Sequence, residues 1–195
     1  MKRIILIGPV LFATVILSLT LIKYDFLRGL GWHPINDPTF DWPSGLALGP
    51  YGIIMTLTFI ISGLLMAMLG LRLLLDLKPG AASRAGSLLL MFAGLALAAL
   101  SSTTDPTLTT THATWHGRLH DLSFVLLGLS LMPGMLILGK AFRDEPGWRN
   151  FSIYTWATAA LALPTFFLKG AFFYVFLFAI LLWTELVAWK LVKES

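Results

Sequence analysis

The sequence predicts an all-α membrane protein, a compact six-helix transmembrane bundle with its N- and C-termini on the cytoplasmic side. Three observations predict it. Hydrophobic residues make up 57% of the chain and charged residues only 12%, about half the roughly 25% of a soluble domain. The apolar residues fall into blocks of about 18 to 26, the length that crosses a hydrocarbon core of roughly 30 Å. Lys and Arg sit at the ends of these blocks, unevenly divided between the two sides. The 195 residues are enough for a single transmembrane domain, 1–195.

The first span is expected at about 4–22. Lys2 and Arg3 before an apolar stretch look like a secretory signal. The stretch, however, exceeds the roughly 7–15 residues of a signal core, and no small-x-small cleavage site precedes Lys23. An uncleaved helix is expected. The outer loop 23–50 follows; its prolines and glycines argue against a long regular helix. The second span is placed at about 51–75, a turn with Pro79 and Gly80 comes next, and the third span covers about 85–101. A polar stretch then grades into the fourth span, about 113–139, where Pro133-Gly134 predicts a kink. The fifth, about 151–168, carries Pro164, and a Lys169-Gly170 turn leads to the sixth, about 171–192. Small residues such as Ser62, Ala67 and Gly70 in the second span, and Gly86, Gly94 and Ala98 in the third, predict close helix packing. Ser44, Ser62, Ser123 and Thr165 are expected as polar contacts between helices.

With the termini inside, the inner ends carry Lys2, Arg3, Arg72, Lys78, Arg84, Lys140, Arg143, Arg149, Lys190 and Lys193. The outer ends carry Lys23, Arg28, Arg118 and Lys169, a clear positive-inside bias. Trp32, Trp42, Trp115, Trp148 and Trp189 fall at span ends or in loops, as interfacial anchors do. The net charge of +4 comes without a basic run, so nucleic acid is not an expected partner. The absence of cysteine excludes disulfides, thiolate metal sites and a Cys nucleophile.

The richest chemistry lies between Asp105 and Asp121. His112, His116 and His120 are spaced four apart, so on a helix they share one face with a drift of about 40° per step. Asp105 precedes them and can fold back over that face. Two His at i and i+4 with an Asp are a set that can hold a divalent metal such as zinc. Without metal, His116 or His120 can act as a general base beside Asp105 or Asp121. The structural alternative is that these histidines cap the helix or anchor a loop. Asp121 lies roughly 180° from the centre of the His face and is expected to serve another partner, Arg118 or Lys23. In the outer loop, His33, Asp37 and Asp41 among aromatics suggest either a lid or an interfacial loop with Trp anchors. Glu185 is the one acid well inside a span, which marks either function or a pairing with Arg72 or Lys190. No Gly-x-Ser-x-Gly, phosphate loop or His-Glu-x-x-His pattern is present.

The stretch DWPSGLALGPYGIIMTLTFIISGLL, the TDP turn and WHGRLHDLSF together resemble the bacterial DUF998 family, six-span proteins of unassigned function. The likeness runs from about Tyr24 to the last span. Its motif is an outer-side Asp followed about ten residues later by His-Gly-x-x-His, matched here by Asp105, His116, Gly117 and His120; His112 stands outside it. The resemblance implies a fold and a topology in the bacterial cytoplasmic (inner) membrane, not a reaction. A looser likeness is to the ceramidase-like membrane hydrolases, which hold zinc with His and Asp on membrane helices. This chain departs from them in having no histidine after His120.

Three function classes follow. The first is a non-enzymatic membrane module that binds membrane lipids, a cofactor or a partner subunit of a larger membrane complex. The second is a metal- or His/Asp-dependent hydrolase of a lipid-like substrate at the outer leaflet. The third, a small transporter, is poorly served by spans with almost no polar residues to line a path.

Overall fold

The computed structural model describes residues 2–31, 43–106, 114–167 and 171–193, and no strand occurs among them. A 3-10 turn at Lys2–Leu6 leads into α1 (Ile7–Ile22), followed by a short α2 (Tyr24–Gly29) and a 3-10 turn at Pro43–Ala47. Five long helices complete the chain: α3 (Gly52–Asp76), α4 (Ala81–Ala99), α5 (Trp115–Asp144), α6 (Arg149–Phe167) and α7 (Ala171–Lys193). The long helices pack in chain order from α3 to α7, and α1 lies against both α3 and α7, so six helices form a closed ring.

Glycines set the spacing of the ring. A Cβ on Gly63 would lie 2.6 Å from the Gly94 carbonyl oxygen, and one on Gly94 equally close to the Gly63 carbonyl. The backbones of α3 and α4 therefore touch directly, the packing that small residues permit in lipid. Gly70 meets the backbone of Met91 in the same seam. Gly86 and Gly134 serve the α4–α5 contact, Gly139 admits Trp156 of α6, and Gly8 of α1 rests on Leu65 of α3. Ser62 adds a hydrogen bond across the α1–α3 seam, donating to the Gly8 carbonyl at 3.1 Å.

The outer surface of the ring is apolar. Large side chains such as Leu17, Ile53, Phe92, Leu129, Ile153 and Leu182 are exposed around its whole circumference. Soluble monomers rarely expose contiguous apolar area on that scale. Among the described residues five helices, counting α1 with the turn before it, are long and apolar enough to cross a membrane: α1, α3, α4, α5 and α7. The fold is thus that of a multi-pass helical membrane protein.

Helix boundaries fall close to the expected spans, with two informative differences. Helix α5 continues through Pro133 and past Gly139 to Asp144. At 30 residues it spans about 45 Å at 1.5 Å per residue, longer than a hydrocarbon core. Its last turn reaches a corner where Trp148, expected as an interfacial anchor, is instead buried and stacked on Phe142 at 4.8 Å. At this end the Lys78 N–H donates to Glu145 Oε2 at 2.9 Å, which ties the α3–α4 turn to the α5–α6 turn. Trp115 and Trp189 are exposed, as anchors are, while Trp32 and Trp42 lie outside the described residues.

Candidate functional site

The motif residues meet where α4 hands over to α5. Thr114, in extended conformation, is the N-cap of α5, and its Oγ1 accepts the Gly117 N–H at 3.1 Å. Asp105 folds back onto this cap. Its Oδ2 accepts the Thr114 N–H at 2.8 Å and its Oδ1 accepts the Thr114 hydroxyl at 2.7 Å. The hydroxyl proton is thereby committed, so the 3.0 Å contact between Thr114 Oγ1 and His116 Nδ1 requires the imidazole to donate. The Thr114 hydroxyl and then the Thr114 amide hold the Asp105 carboxyl below the usual carboxylate range, and the nearby His116 acts in the same direction, against a smaller opposing effect of burial. Gly117 is required by this packing, because a Cβ there would overlap the Asp105 carboxylate.

His120, one turn further on, is only 4% exposed. Its Nδ1 lies 3.0 Å from the Leu100 carbonyl and 2.8 Å from the Ser102 carbonyl at the end of α4. Carbonyls only accept, so Nδ1 carries the proton and Nε2 is left as an acceptor. Ser102 returns the link by donating to the His116 carbonyl at 3.0 Å. The four motif positions therefore lock the α4–α5 connection, which is the loop-anchoring alternative in physical form. Asp105, His116 and His120 do converge, but on Thr114 and the α4 carbonyls rather than on a common point. Among the described residues no group of three or more His, Asp or Glu is placed to hold a metal ion. His112 lies outside the described residues, as do His33, Asp37 and Asp41.

Beneath this junction lies an open cavity of about 600 Å³. Its walls are Phe12 and Ile16 of α1, Met55 and Phe59 of α3, Leu97 of α4, Phe124, Leu131 and Met132 of α5, and Phe173 and Phe176 of α7. A second void of about 60 Å³ shares Phe12, Leu97 and Phe176 with it and is lined further by Ser62 and Thr184. Polar lining residues are few: Ser44, Thr104, Asp105, His120 and Asp121. His120 is the buried one, with Phe59 against its ring at 6.3 Å in edge geometry, and its Nε2 has no hydrogen-bond partner among the described residues. Pro133 also lines the cavity; lacking an N–H, it cannot donate to the Leu129 carbonyl one turn back. Asp121 is exposed and pairs with neither Arg118 nor Lys23. Adjacent helical residues are only 100° apart, so 120 and 121 can border the same wide cavity.

Lys23 holds the α1–α3 connection near this mouth. It is buried, its Nζ donates to the Leu46 carbonyl at 2.8 Å and to the Leu48 carbonyl, and Leu48 lines the cavity. Burial lowers its pKa from the usual lysine value. Gly49, with φ of +60°, accepts Phe26 where a side chain would collide with that ring.

A family model described as a protein of unknown function, DUF998, matches residues 6–190. The chain belongs to the DUF998 family. No curated protein and no solved structure matches it. In this DUF998 protein the Asp and His-Gly-x-x-His positions form one hydrogen-bonded unit above an apolar cavity. Sequence reasoning missed Thr114, the hub of that unit, although a Thr three residues before an apolar helical run is an N-cap signal. It also missed Lys23 as a clamp and the cavity itself. Of the hydroxyls, Ser62 does bridge helices, Ser44 lines the cavity, and Ser123 instead bonds its own helix at the Leu119 carbonyl; the Thr165 side chain lies outside the described residues. Glu185 Oε2 is buried without a hydrogen-bond partner among the described residues, so the expected pairing with Arg72 or Lys190 does not form at that oxygen.

Proposed function

We propose that this DUF998 protein is a non-enzymatic membrane module of the bacterial inner membrane that holds a lipid in the cavity of its helix ring. All six long helices cross the bilayer, and the cavity opens towards the extracytoplasmic side. The observation that carries the reading is the cavity: about 600 Å³, apolar in its walls, with a few polar groups at one end. That is the usual build of a small-molecule site. Sealed and empty, such a volume would cost on the order of 14 kcal/mol at roughly 24 cal/mol per Å³, as much as a whole domain's stability. Lipid tails are the apolar filler that a bilayer supplies.

Orientation rests on charge. The end of the ring with the termini and the α3–α4 and α5–α6 turns carries ten of the 14 Lys and Arg, so it faces the cytoplasm. The cavity mouth, beside the α1–α3 and α4–α5 connections, is at the other end. Hydroxyls within the spans offer little support for a transport path. Those of Thr58, Ser123, Ser130, Thr155, Thr158 and Thr184 bond carbonyls of their own helices.

The test is to purify the protein in mild detergent and identify retained lipid by mass spectrometry, beside the cavity-filling variants Met132→Trp and Leu177→Trp. The expected result is near-stoichiometric lipid in the wild type and loss of it in folded variants. A protein that retains no lipid, or variants that retain it undiminished, would overturn the reading.

A further inference from the structure

The polar end of the cavity has a chemical bias that narrows the ligand, granted that the cavity holds a lipid. Its described lining contains two carboxylates, an imidazole and two hydroxyls, and no Lys or Arg. A lipid phosphate drawn inside this lining would be desolvated with no Lys or Arg of the lining to pair with it, a heavy cost, and the Lys23 ammonium nearby already donates to the Leu46 and Leu48 carbonyls.

What the cavity does offer is an acceptor. The Leu100 and Ser102 carbonyls fix the His120 proton on Nδ1. Its Nε2 lone pair then belongs to a ring that is 4% exposed, lines the cavity and has no partner for that nitrogen among the described residues. That nitrogen opens onto the cavity, where a ligand hydroxyl can supply its donor. Asp105 already accepts from Thr114 at both of its oxygens. Asp121 is exposed at the mouth and therefore remains solvated. An ammonium head can likewise donate to this nitrogen and would meet the Asp105 and Asp121 carboxylates of the lining, so it is the competing ligand class. A hydroxyl satisfies the nitrogen without bringing charge.

We infer that the cavity selects a lipid with an uncharged, hydroxyl-bearing head, which donates its hydrogen bond to His120 Nε2, over a lipid of the same tails with a phosphate head. Diacylglycerol and phosphatidic acid form such a matched pair, and a long-chain amine tests the cationic alternative.

The experiment equilibrates the purified full-length protein with equimolar dioleoylglycerol, dioleoyl phosphatidic acid and oleylamine, and quantifies the bound species by native mass spectrometry. The wild type should favour dioleoylglycerol over phosphatidic acid by about tenfold or more, the discrimination expected when a charge would be buried unpaired. His120→Asn keeps an amide N–H near the Nδ1 position for the two carbonyls and removes the Nε2 acceptor. It should melt close to the wild type and lose the preference. Equal or stronger binding of phosphatidic acid, a preference for the amine, or a selectivity unchanged in a folded His120→Asn protein would each overturn the inference while leaving the lipid cavity intact. If none of the lipids binds, the cavity reading fails and takes this inference with it. The wild-type competition decides the head-group question even where the variant does not accumulate.

Discussion

Gly117 and Asp105 make a pair whose energetics can be separated by sign. Near a helix start, replacing Gly by Ala normally favours the helix by up to about 1 kcal/mol. Here the added Cβ would overlap the Asp105 carboxylate, which would have to leave Thr114. Gly117→Ala is therefore expected to lower the melting temperature in the wild-type background and to raise it in an Asp105→Ala background. Thermal melts of the four proteins complete the cycle, and equal shifts in both backgrounds would show that the two residues do not meet. Asp105 also predicts a pH dependence. Its carboxyl titrates below its unfolded value because Thr114 bonds the charged form. Its contribution is present above the unfolded pKa of about 3.9 and is lost as pH falls through the lower folded value. Asp105→Asn should be less stable at neutral pH, with the gap narrowing as the pH falls below about 3.9; a gap that stays constant would exclude this role for the carboxylate.

Between helices, the α3–α4 seam is the least forgiving contact, because what opposes each glycine is backbone. Gly94→Ala would press a Cβ against the Gly63 carbonyl, and overpacking of this kind costs about 1–3 kcal/mol. Gly29, where a Cβ would meet nothing within 4 Å, should accept Ala within about 0.5 kcal/mol. Comparable unfolding midpoints for the two variants would mean that the seam is looser than the glycine spacing implies. These seams were legible in the sequence through Gly70 and Gly94, small residues in apolar runs that let helices approach closely; Gly63 was not singled out. The Asp105…His116-Gly117-x-x-His120 cluster was legible as a unit, from its charges in an otherwise apolar chain. Its wiring was not: which His nitrogen bonds which group depends on Thr114 and on where the α4 carbonyls end, neither of which i,i+4 spacing encodes. The cavity had no sequence signal at all, because Phe59, Phe124 and Phe176 read as ordinary apolar span residues whether they fill a core or line a void.

Helix α6 decides the topology of the assembled ring. Over its described residues it is the one of the six long helices that does not satisfy length and apolar composition together. The reason lies in Ser152, Thr155 and Thr158, which are buried in the ring rather than turned outwards. Thr155 and Thr158 donate to the Phe151 and Tyr154 carbonyls of their own helix, and Thr155 Oγ1 also accepts the Trp183 indole N–H at 2.9 Å. Thr155 and Thr158, satisfied in this way, do not burden a crossing; Ser152 Oγ is buried without a hydrogen-bond partner among the described residues, while Ile153 and Leu161 present apolar surface outwards. A crossing α6 returns the C-terminus to the side of the N-terminus; a non-crossing one leaves it opposite. The chain has no cysteine, so single cysteines can report this directly. Asp25→Cys lies after α1, Asp144→Cys before α6, and Ser195→Cys at the C-terminus; none of the three alters the Lys and Arg distribution that sets orientation. In intact cells a membrane-impermeant maleimide should label the cysteine at 25 and spare those at 144 and 195, with all three labelled after permeabilisation. Labelling at 195 but not 144 would make α6 a re-entrant or peripheral helix and place the C-terminus outside. Labelling at 144 but not 25 would invert the whole ring and turn the cavity mouth to the cytoplasm.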